Sequence, residues 1–451
     1  MTGASGARPL LGVDTLPPLH VPLRFFATAA VFALLAGLLW LVEGEAAFAT
    51  RWSGAMLAAT HLLVLGFFAM VMFGALFQVI PVLGGTGIPR PVLVAGLVHP
   101  GLTGGTLCLA GGLWRGERTW FVAAIVLLLA TFTVFVASVA PIVLRVRTAA
   151  LRPVRLAVLA FVVAVALGML MAIALTAPGL GIAYRAWTNV HAAWGGVGFG
   201  FLLVVGVSHQ VVPMFHVTPA FPPLVVRLVP WLLGSGLAAL LLPWDVTSAA
   251  GMLAIAAGVL GHAVATLRLL ARRRRRRPDA AVLAWRVGLG AAALAVLLAL
   301  TAALAPASVL PDDTRSRCEL AAGVAFALAG LGTIVMGMMP KIVAFLAFLH
   351  LQRRCLRSTA AAAHLPVMDE FVAPSTAFVL LALHGLAAAA SVAAALVPAL
   401  APLAGIGVLG TAGTLLALLT AAALRYARAS RAIAEALGPP ATSRLGPPAT
   451  R

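Results

Sequence analysis

The sequence predicts an all-α, polytopic membrane protein, and its composition is the first observation behind that prediction. Hydrophobic residues make up 62% of the 451 residues, charged residues make up only 10%, and the mean hydropathy is +1.08. A soluble domain carries about 25% charged residues. The second observation is a set of twelve apolar runs of about 20 or more residues, the length that the hydrocarbon core of a bilayer requires.

The apolar runs divide the chain into a long membrane domain and two short tails. We predict a transmembrane domain over residues 22–436, a cytoplasmic N-terminal tail over 1–21 and a disordered C-terminal tail over 437–451. The last prediction depends on a twofold LGPPAT sequence, whose composition offers too little apolar surface for a core. The approximate centres of the runs are Leu34, Ala69, Leu102, Phe132, Ala164, Phe201, Gly234, Ala257, Ala292, Thr333, Ala387 and Ala412.

The arginines predict the orientation of the runs in the membrane. The net charge of +19 comes largely from arginines in short loops, where they set topology, so it does not indicate nucleic-acid binding. Four clusters fall on one side, which we predict to be cytoplasmic together with both termini. The run from Arg272 to Arg277 has a second interpretation as a contact for anionic lipids. The clusters are Arg145, Arg147, Arg152 and Arg155; Arg268 and Arg272 to Arg277; Arg353, Arg354 and Arg357; and Arg425, Arg428 and Arg431.

Tryptophans support the same orientation. They fall near the predicted outer ends of the runs, as residues of an interfacial aromatic belt do. They are Trp40, Trp52, Trp114, Trp120, Trp187 and Trp244.

A short motif recurs three times along the chain. GALFQVIP at 74–81 matches GVSHQVVP at 206–213, and GMMPKIVA at 337–344 is a weaker third copy. The copies lie in the second, sixth and tenth runs, which predicts three pseudo-repeated units of four helices at about 22–147, 154–271 and 281–425. Repeats in membrane folds tend to place binding sites between the units. The polar residue of each copy is Gln78, Gln210 or Lys341, for which snorkelling at a helix end is the alternative interpretation.

Two histidines are candidate ligands of a cofactor. His61 opens the second run and His191 opens the sixth, at similar depth below the outer surface. Two neutral imidazoles at matched depth on neighbouring helices are what bis-histidine haem ligation, or part of a copper site, requires. The alternative is a pair of hydrogen-bonded structural histidines. His61 precedes its motif glycine by 13 residues and His191 by 15, so the two are not strict counterparts.

The sixth run carries two more histidines, which suggest a weaker second site. At about 100° per residue, His191 and His209 share a helix face but lie about 27 Å apart, at opposite ends of the span. His209 and His216 lie near the inner end, at the depth of His262 and His350. We therefore name His191, His209 and His216 as candidate metal ligands. Proton handling, or a purely structural role, is the alternative for the inner group.

Several kinds of chemistry are disfavoured by missing motifs. The three cysteines include no CxxC pair, which argues against a thiolate metal site. No Walker motif, HExxH or GxSxG occurs, which disfavours hydrolase and nucleotide-driven mechanisms. No Asp or Glu falls within a predicted hydrocarbon core, whereas many cation- or proton-coupled transporters carry one.

Residues 61–91 carry a resemblance to a known family. The stretch HLLVLGFFAMVMFGALFQVIPVLGGTGIPRP resembles the first histidine-bearing helix of the NnrS family of haem- and copper-containing membrane proteins. The shared elements are an opening histidine, a glycine-phenylalanine pair, a further glycine, a Val-Pro-like end and a Gly/Arg-Pro loop. The twelve spans in three units, with histidines on the second and sixth, also resemble subunit I of the haem-copper oxidases, a superfamily that includes nitric oxide reductases. SHQVVPMFHVTPAFP and PKIVAFLAFLHLQ are similar to a bacterial branch of that group.

The resemblance implies a multi-pass protein of the bacterial inner membrane that binds haem and, as a second candidate, copper. In it, His61 takes the place of the haem-ligand histidine, and His191 sits on the helix that carries a copper ligand in oxidases. The His-His and His-x-His pairs of catalytic oxidases have no counterpart here, so a complete binuclear centre is predicted to be absent. The implied role is electron transfer, nitric oxide handling or metal handling. Any enzymatic activity would be a redox one, short of a full terminal oxidase.

The implied partners are the lipid bilayer and either a c-type cytochrome or subunits of an oxidase or its assembly machinery. Two interpretations from other classes stay open. The first is a cofactor-free transporter or channel for a small solute or lipid, which a visible Soret band would contradict. The second is a scaffold for oxidase or copper assembly, which co-purification of partner subunits would support.

Overall fold

The protein is an all-α membrane protein, as the sequence predicts. The computed structural model describes residues 16–146, 151–181, 183–243, 245–356 and 358–438, and every regular element in these ranges is helical. Most of the two predicted tails, together with Arg147, Trp244 and Arg357, lies outside the described residues. Eleven of the described helices are long and apolar enough to cross a membrane. The remaining predicted span, centred at Gly234, is a shorter apolar helix of 17 residues.

We number the twelve helices in chain order. A short helix at Glu45–Phe48 follows the first of them, and two more, Thr359–Ala362 and Met368–Phe371, precede the eleventh. The twelve are α1 His20–Glu43, α2 Gly54–Gly84, α3 Pro91–Arg115, α4 Arg118–Arg145, α5 Arg152–Thr176, α6 Tyr184–His216, α7 Pro223–Ala239, α8 Asp245–Ala271, α9 Ala280–Leu304, α10 Asp312–Cys355, α11 Pro374–Leu396 and α12 Ala401–Leu437.

Helices α2, α6 and α10 each contain a π-helical segment. The segments are Leu62–Ala69, Trp194–Phe201 and Ala325–Gly332, each of eight residues. Twelve residues after the start of each segment stands the motif glycine, Gly74, Gly206 or Gly337. A π turn closes its hydrogen bond over five residues, so it advances the helix by fewer degrees per residue than an α turn. The same irregularity therefore recurs at the same distance from the motif in all three helices.

The motif glycines allow close contact with the helix that precedes each copy. A Cβ at Gly74 would lie 2.8 Å from Phe25 Cβ of α1, and one at Gly206 would lie 3.1 Å from Val154 Cγ2 of α5. A Cβ at Gly337 would lie only 2.0 Å from Ala284 Cβ of α9. In a membrane, small residues drive helix association because lipid offers no hydrophobic gain and close van der Waals packing must supply the energy. These repeated contacts agree with the predicted units, whose boundaries stay a prediction.

Helices α2 and α10 occupy the interior of the bundle. In their most apolar windows, 78% and 67% of residues are buried inside the protein, more than in any other candidate span of the described residues. The outward faces of the surrounding helices expose large apolar side chains, among them Val126, Leu294 and Leu386, which are 62%, 70% and 70% exposed. Apolar side chains on the outside of a bundle are what contact with lipid requires.

The π segments of α6 and α10 meet in the interior. Phe201 and Phe326 have ring centroids 6.1 Å apart, and a Cβ at Gly200 would lie 3.1 Å from Leu331 Cδ1 and 3.8 Å from Met72 Cε of α2. An aromatic cluster joins α2 to α4 and α5, in which Phe73 stacks on Phe135 at 3.6 Å. The three irregular helices therefore converge, and this convergence places the histidines of α2 and α6 side by side.

Candidate functional site

The outer histidines of α2 and α6 form a pair. The imidazole centroids of His61 and His191 are 6.4 Å apart, and the ring planes differ by 19°. His61 is the last residue before its π segment, whereas His191 lies three residues before its own. The two are therefore not equivalent in the repeat, as their spacing from the motif predicts, and the packing of α6 against α2 still brings them together.

Backbone hydrogen bonds orient both rings. His61 Nδ1 lies 2.8 Å from the Leu57 carbonyl oxygen one turn earlier, and His191 Nδ1 lies 3.0 Å from the Ala164 carbonyl oxygen of α5. A carbonyl oxygen only accepts, so each Nδ1 carries the proton and donates it. Each Nε2 is left with a free lone pair, which is the arrangement that metal-ligating histidines almost always adopt.

The helix surface beside this pair is only partly covered. The outer ten residues of α6, Tyr184–Ala193, include no buried residue, although they lie at the end of a membrane span. A Cβ at Gly195, one turn after His191, would meet no atom within 4 Å. Thr60, next to His61, is exposed. Partly exposed positions and one open glycine therefore adjoin the two imidazoles.

A polar cluster joins the outer ends of the three central helices close to the histidine pair. The Arg51 guanidinium donates to Glu319 Oε2 of α10 at 2.5 Å and to Asn189 Oδ1 of α6 at 2.5 Å. Arg51 also lies over the Trp52 ring, and Arg185 lies on the same ring at 5.2 Å. The Arg51 side chain is 16% exposed and that of Glu319 is 29% exposed, so water screens the ion pair only in part. The cluster positions Asn189, two residues before His191.

The inner histidines form two separate groups. His209 lies against His262 of α8, with ring centroids 6.1 Å apart, and not against His216. His216 instead places Nδ1 3.7 Å from Asp279 Oδ2, and Lys341 forms an ion pair with the same carboxylate oxygen. The nitrogens of His350 lie 2.8 Å and 3.0 Å from the carbonyl oxygens of Leu346 and Pro17, outside both groups. We expected His191 and His209 to share one face of α6. In the structure, the two rings contact different neighbouring helices.

The π segment between His191 and His209 accounts for that difference. The expectation assumed 100° per residue throughout, whereas eight of the intervening residues follow the wider π turn. His191 therefore faces α2 and α5, and His209 faces α8.

Asp279 is a polar site residue that the sequence did not single out. It precedes α9, and its side chain accepts the Ala281 backbone N–H at 2.9 Å, which caps that helix. Burial alone would raise the pKa of the Asp279 carboxyl, but hydrogen bonds and charge from His216 and Lys341 outweigh it and hold that pKa well below its usual range. The sequence signal was available: Lys341 is the single lysine among 31 basic residues, and Asp279 directly follows the arginine run and its proline.

Two mid-span histidines have structural partners. His99 Nε2 lies 2.8 Å from Thr28 Oγ1 of α1, and His384 Nε2 donates to the Leu328 carbonyl oxygen in the π segment of α10 at 3.0 Å. Within the described ranges, no group of three or more His, Cys, Asp or Glu side chains is arranged to hold a metal ion. The candidate histidine ligands of the described residues lie in pairs, at His61 with His191 and at His209 with His262.

The fold and these sites define a multi-pass, all-α membrane protein with paired histidines in its interior. Neither a model of a known protein family nor a curated protein matches the chain. The site geometry alone therefore supports the functional proposal.

Proposed function

We propose that this protein is a haem-binding membrane protein that transfers electrons, with His61 and His191 as the two axial ligands of the haem iron. The separation of their rings is the observation that carries the proposal. A metal–nitrogen bond is about 2.0–2.1 Å long and a ring centroid lies about 1.1 Å beyond the nitrogen, so two imidazoles across one metal have centroids about 6.3 Å apart. The observed centroid separation is 6.4 Å.

The hydrogen bonds of the pair support the same assignment. The Leu57 and Ala164 carbonyls hold the Nδ1 protons, which makes each ring a better donor through Nε2 and fixes its rotation. Gly195 lies one turn after His191 and a Cβ there would meet no atom within 4 Å, which supports room for part of a flat macrocycle near that ring.

Charge also favours haem at this site. Neither imidazole brings a negative charge, and an uncompensated divalent cation is costly at membrane depth. A porphyrin supplies four nitrogens and two negative charges of its own, so the bound ferrous centre is neutral. If His61 and His191 both held the iron, no coordination position would stay open, which favours electron transfer over the binding of a gas. The role of the chain is then axial ligation, burial and hydrogen bonding, which together tune the potential.

The test is an absorption spectrum of the detergent-purified protein, oxidised and dithionite-reduced, with iron and copper quantified on the same sample. We expect a Soret band and about one iron per chain, as one bis-histidine site requires. His61→Ala and His191→Ala should each lose the six-coordinate spectrum, whereas His99→Ala, a mid-span variant with a Thr28 partner, should keep it.

Other results of this experiment would contradict the haem assignment. Spectra unchanged in both variants would remove the pair from the site. Copper retained in place of iron, and lost in both variants, would assign the pair to a copper ion. A colourless, metal-free protein after expression with haem and copper supplied would favour the transporter or the assembly scaffold.

We further propose that the protein lies in a bacterial inner membrane with both termini in the cytoplasm. The support is the grouping of arginine clusters in the C-terminal turns of α4, α8, α10 and α12 or just beyond them, because positively charged segments stay on the cytoplasmic side. A reporter fused after Arg451 should be active in the cytoplasm. A periplasmic signal from that fusion would mean an odd number of crossings.

A further inference from the structure

We propose that His209 and His262 form a second metal site, near the inner end of α6 and α8, that binds a single cuprous ion. The inference is independent of the proposed function, because it concerns different side chains on a different pair of helices. It rests on the burial of the two rings, their unpaired nitrogens and their separation.

Both imidazoles are buried without adequate hydrogen-bond partners. His262 is 0% exposed, and no hydrogen-bond partner lies within reach of its Nδ1. Both nitrogens of His209 are likewise buried and unpaired among the described residues. Buried polar atoms are paired in the great majority of cases, so a cluster of unpaired nitrogens suggests a missing ligand.

Two hydroxyl groups show which nitrogen of His262 is left for a ligand. Ser208 Oγ and Thr266 Oγ1 both lie 3.4 Å from His262 Nε2. Ser208 Oγ donates its proton to the Val205 carbonyl at 2.7 Å, so towards Nε2 it can only accept. Nε2 therefore has hydrogen-bond partners within the protein, and Nδ1, which has none among the described residues, is the nitrogen available to a ligand.

The separation of the rings fits one metal ion between them. Their centroids are 6.1 Å apart. That is just under the separation of about 6.3 Å for two imidazoles on opposite sides of one ion, so both rings can ligate at a wide angle. Phe221 closes the site, with its ring 4.8 Å from that of His209 and stacked on His262 at 5.8 Å.

The absence of a negative charge selects the ion. No third His, Cys, Asp or Glu ligand adjoins the pair in the part of the chain that the structure describes, and Asp279 is engaged by Lys341. Zn²⁺ would leave two uncompensated charges in apolar surroundings and favours four ligands. Cu⁺ carries one charge and accepts two nitrogen ligands in a nearly linear geometry, and imidazole suits copper.

The test uses the purified full-length His61→Ala protein, so that the outer pair cannot contribute. Cu⁺, maintained by ascorbate without oxygen, is titrated against the chelator bicinchoninate. We expect one Cu⁺ per chain and an X-ray absorption spectrum of two nitrogen ligands. His209→Asn and His262→Asn should each weaken binding by more than the roughly 10–100-fold that loss of an outer-shell partner costs.

His216→Asn is the matched control, because His216 is a buried histidine of the same helix that faces Asp279 instead. It should bind Cu⁺ like its parent. Equal weakening in this control, retention of Cu⁺ by both ligand variants, or no uptake by the parent would overturn the proposal; the last result would mean that only water bridges the rings. Each variant is first shown to be monodisperse by size-exclusion chromatography, and His191→Ala serves as the background if His61→Ala is not.

Discussion

Gly337→Ala is expected to destabilise the protein by about 3 kcal/mol, the upper end of the range for overpacking a tight core. The added Cβ would lie 2.0 Å from Ala284 Cβ, a distance that no rotamer change relieves, because both atoms are fixed to helix backbones. Helices α9 and α10 must therefore separate, and the contacts between them are lost. The measurement is the midpoint of heat unfolding in a single detergent.

Gly290→Ala is the matched control for that experiment. It adds the same atom to α9, where a Cβ would meet nothing within 4 Å. The higher helix propensity of alanine should leave this variant as stable as the parent, or more stable by up to about 1 kcal/mol. Equal unfolding midpoints for Gly337→Ala and the parent would show that α9 and α10 are further apart than the structure has them.

Lys341→Met is expected to destabilise the protein at neutral pH, because it removes the cation of the ion pair and leaves the Asp279 carboxylate with only His216 beside it. Removing one partner of a buried pair costs about 3–5 kcal/mol, and both side chains here are 26% exposed, so we expect about 1–3 kcal/mol. The double variant Asp279→Asn with Lys341→Met should be less destabilised than Lys341→Met alone. Unfolding midpoints of the parent, both single variants and the double variant measure the coupling.

The pH dependence of the unfolding stability tests the same ion pair. In the parent, the pKa of Asp279 lies below its ordinary value of 3.8, so its stabilising contribution is present above that pH and is lost only as the pH falls well below it. In Lys341→Met, only His216 still opposes the effect of burial, so the pKa of Asp279 rises and the stability deficit should shrink as the pH falls from 7 towards 4. Asp369→Asn, which removes an exposed carboxylate, should leave the dependence of stability on pH unchanged in both the parent and Lys341→Met. A deficit that is independent of pH would contradict the pairing.

The membrane character and the approximate positions of the helices could be predicted from the sequence because they depend on local properties, although the helix centred at Gly234 is shorter than predicted. An apolar run of bilayer length is sufficient to specify a span, and all twelve predicted centres fall within described helices. The matched depth of His61 and His191 was also visible, since depth follows from position along a helix. The sequence alone could predict, but not establish, that the His61 and His191 rings lie next to each other.

The partners of the inner histidines depend on contacts between helices that are distant in sequence. His209 meets His262, and Lys341 meets Asp279, across 62 residues in the second case. The sequence pattern grouped His209 with His216, because both belong to one helix and α-helical periodicity is the only angular guide that a sequence offers.

The sequence by itself therefore determined the class of the protein and the approximate spans. The tertiary structure decided which histidines face each other, because two features beyond local periodicity set the rotation of each helix. The π segments in α2, α6 and α10 change the angular phase midway along each helix. The glycine contacts then fix which face of each helix approaches its neighbour, since only a residue without Cβ permits that approach.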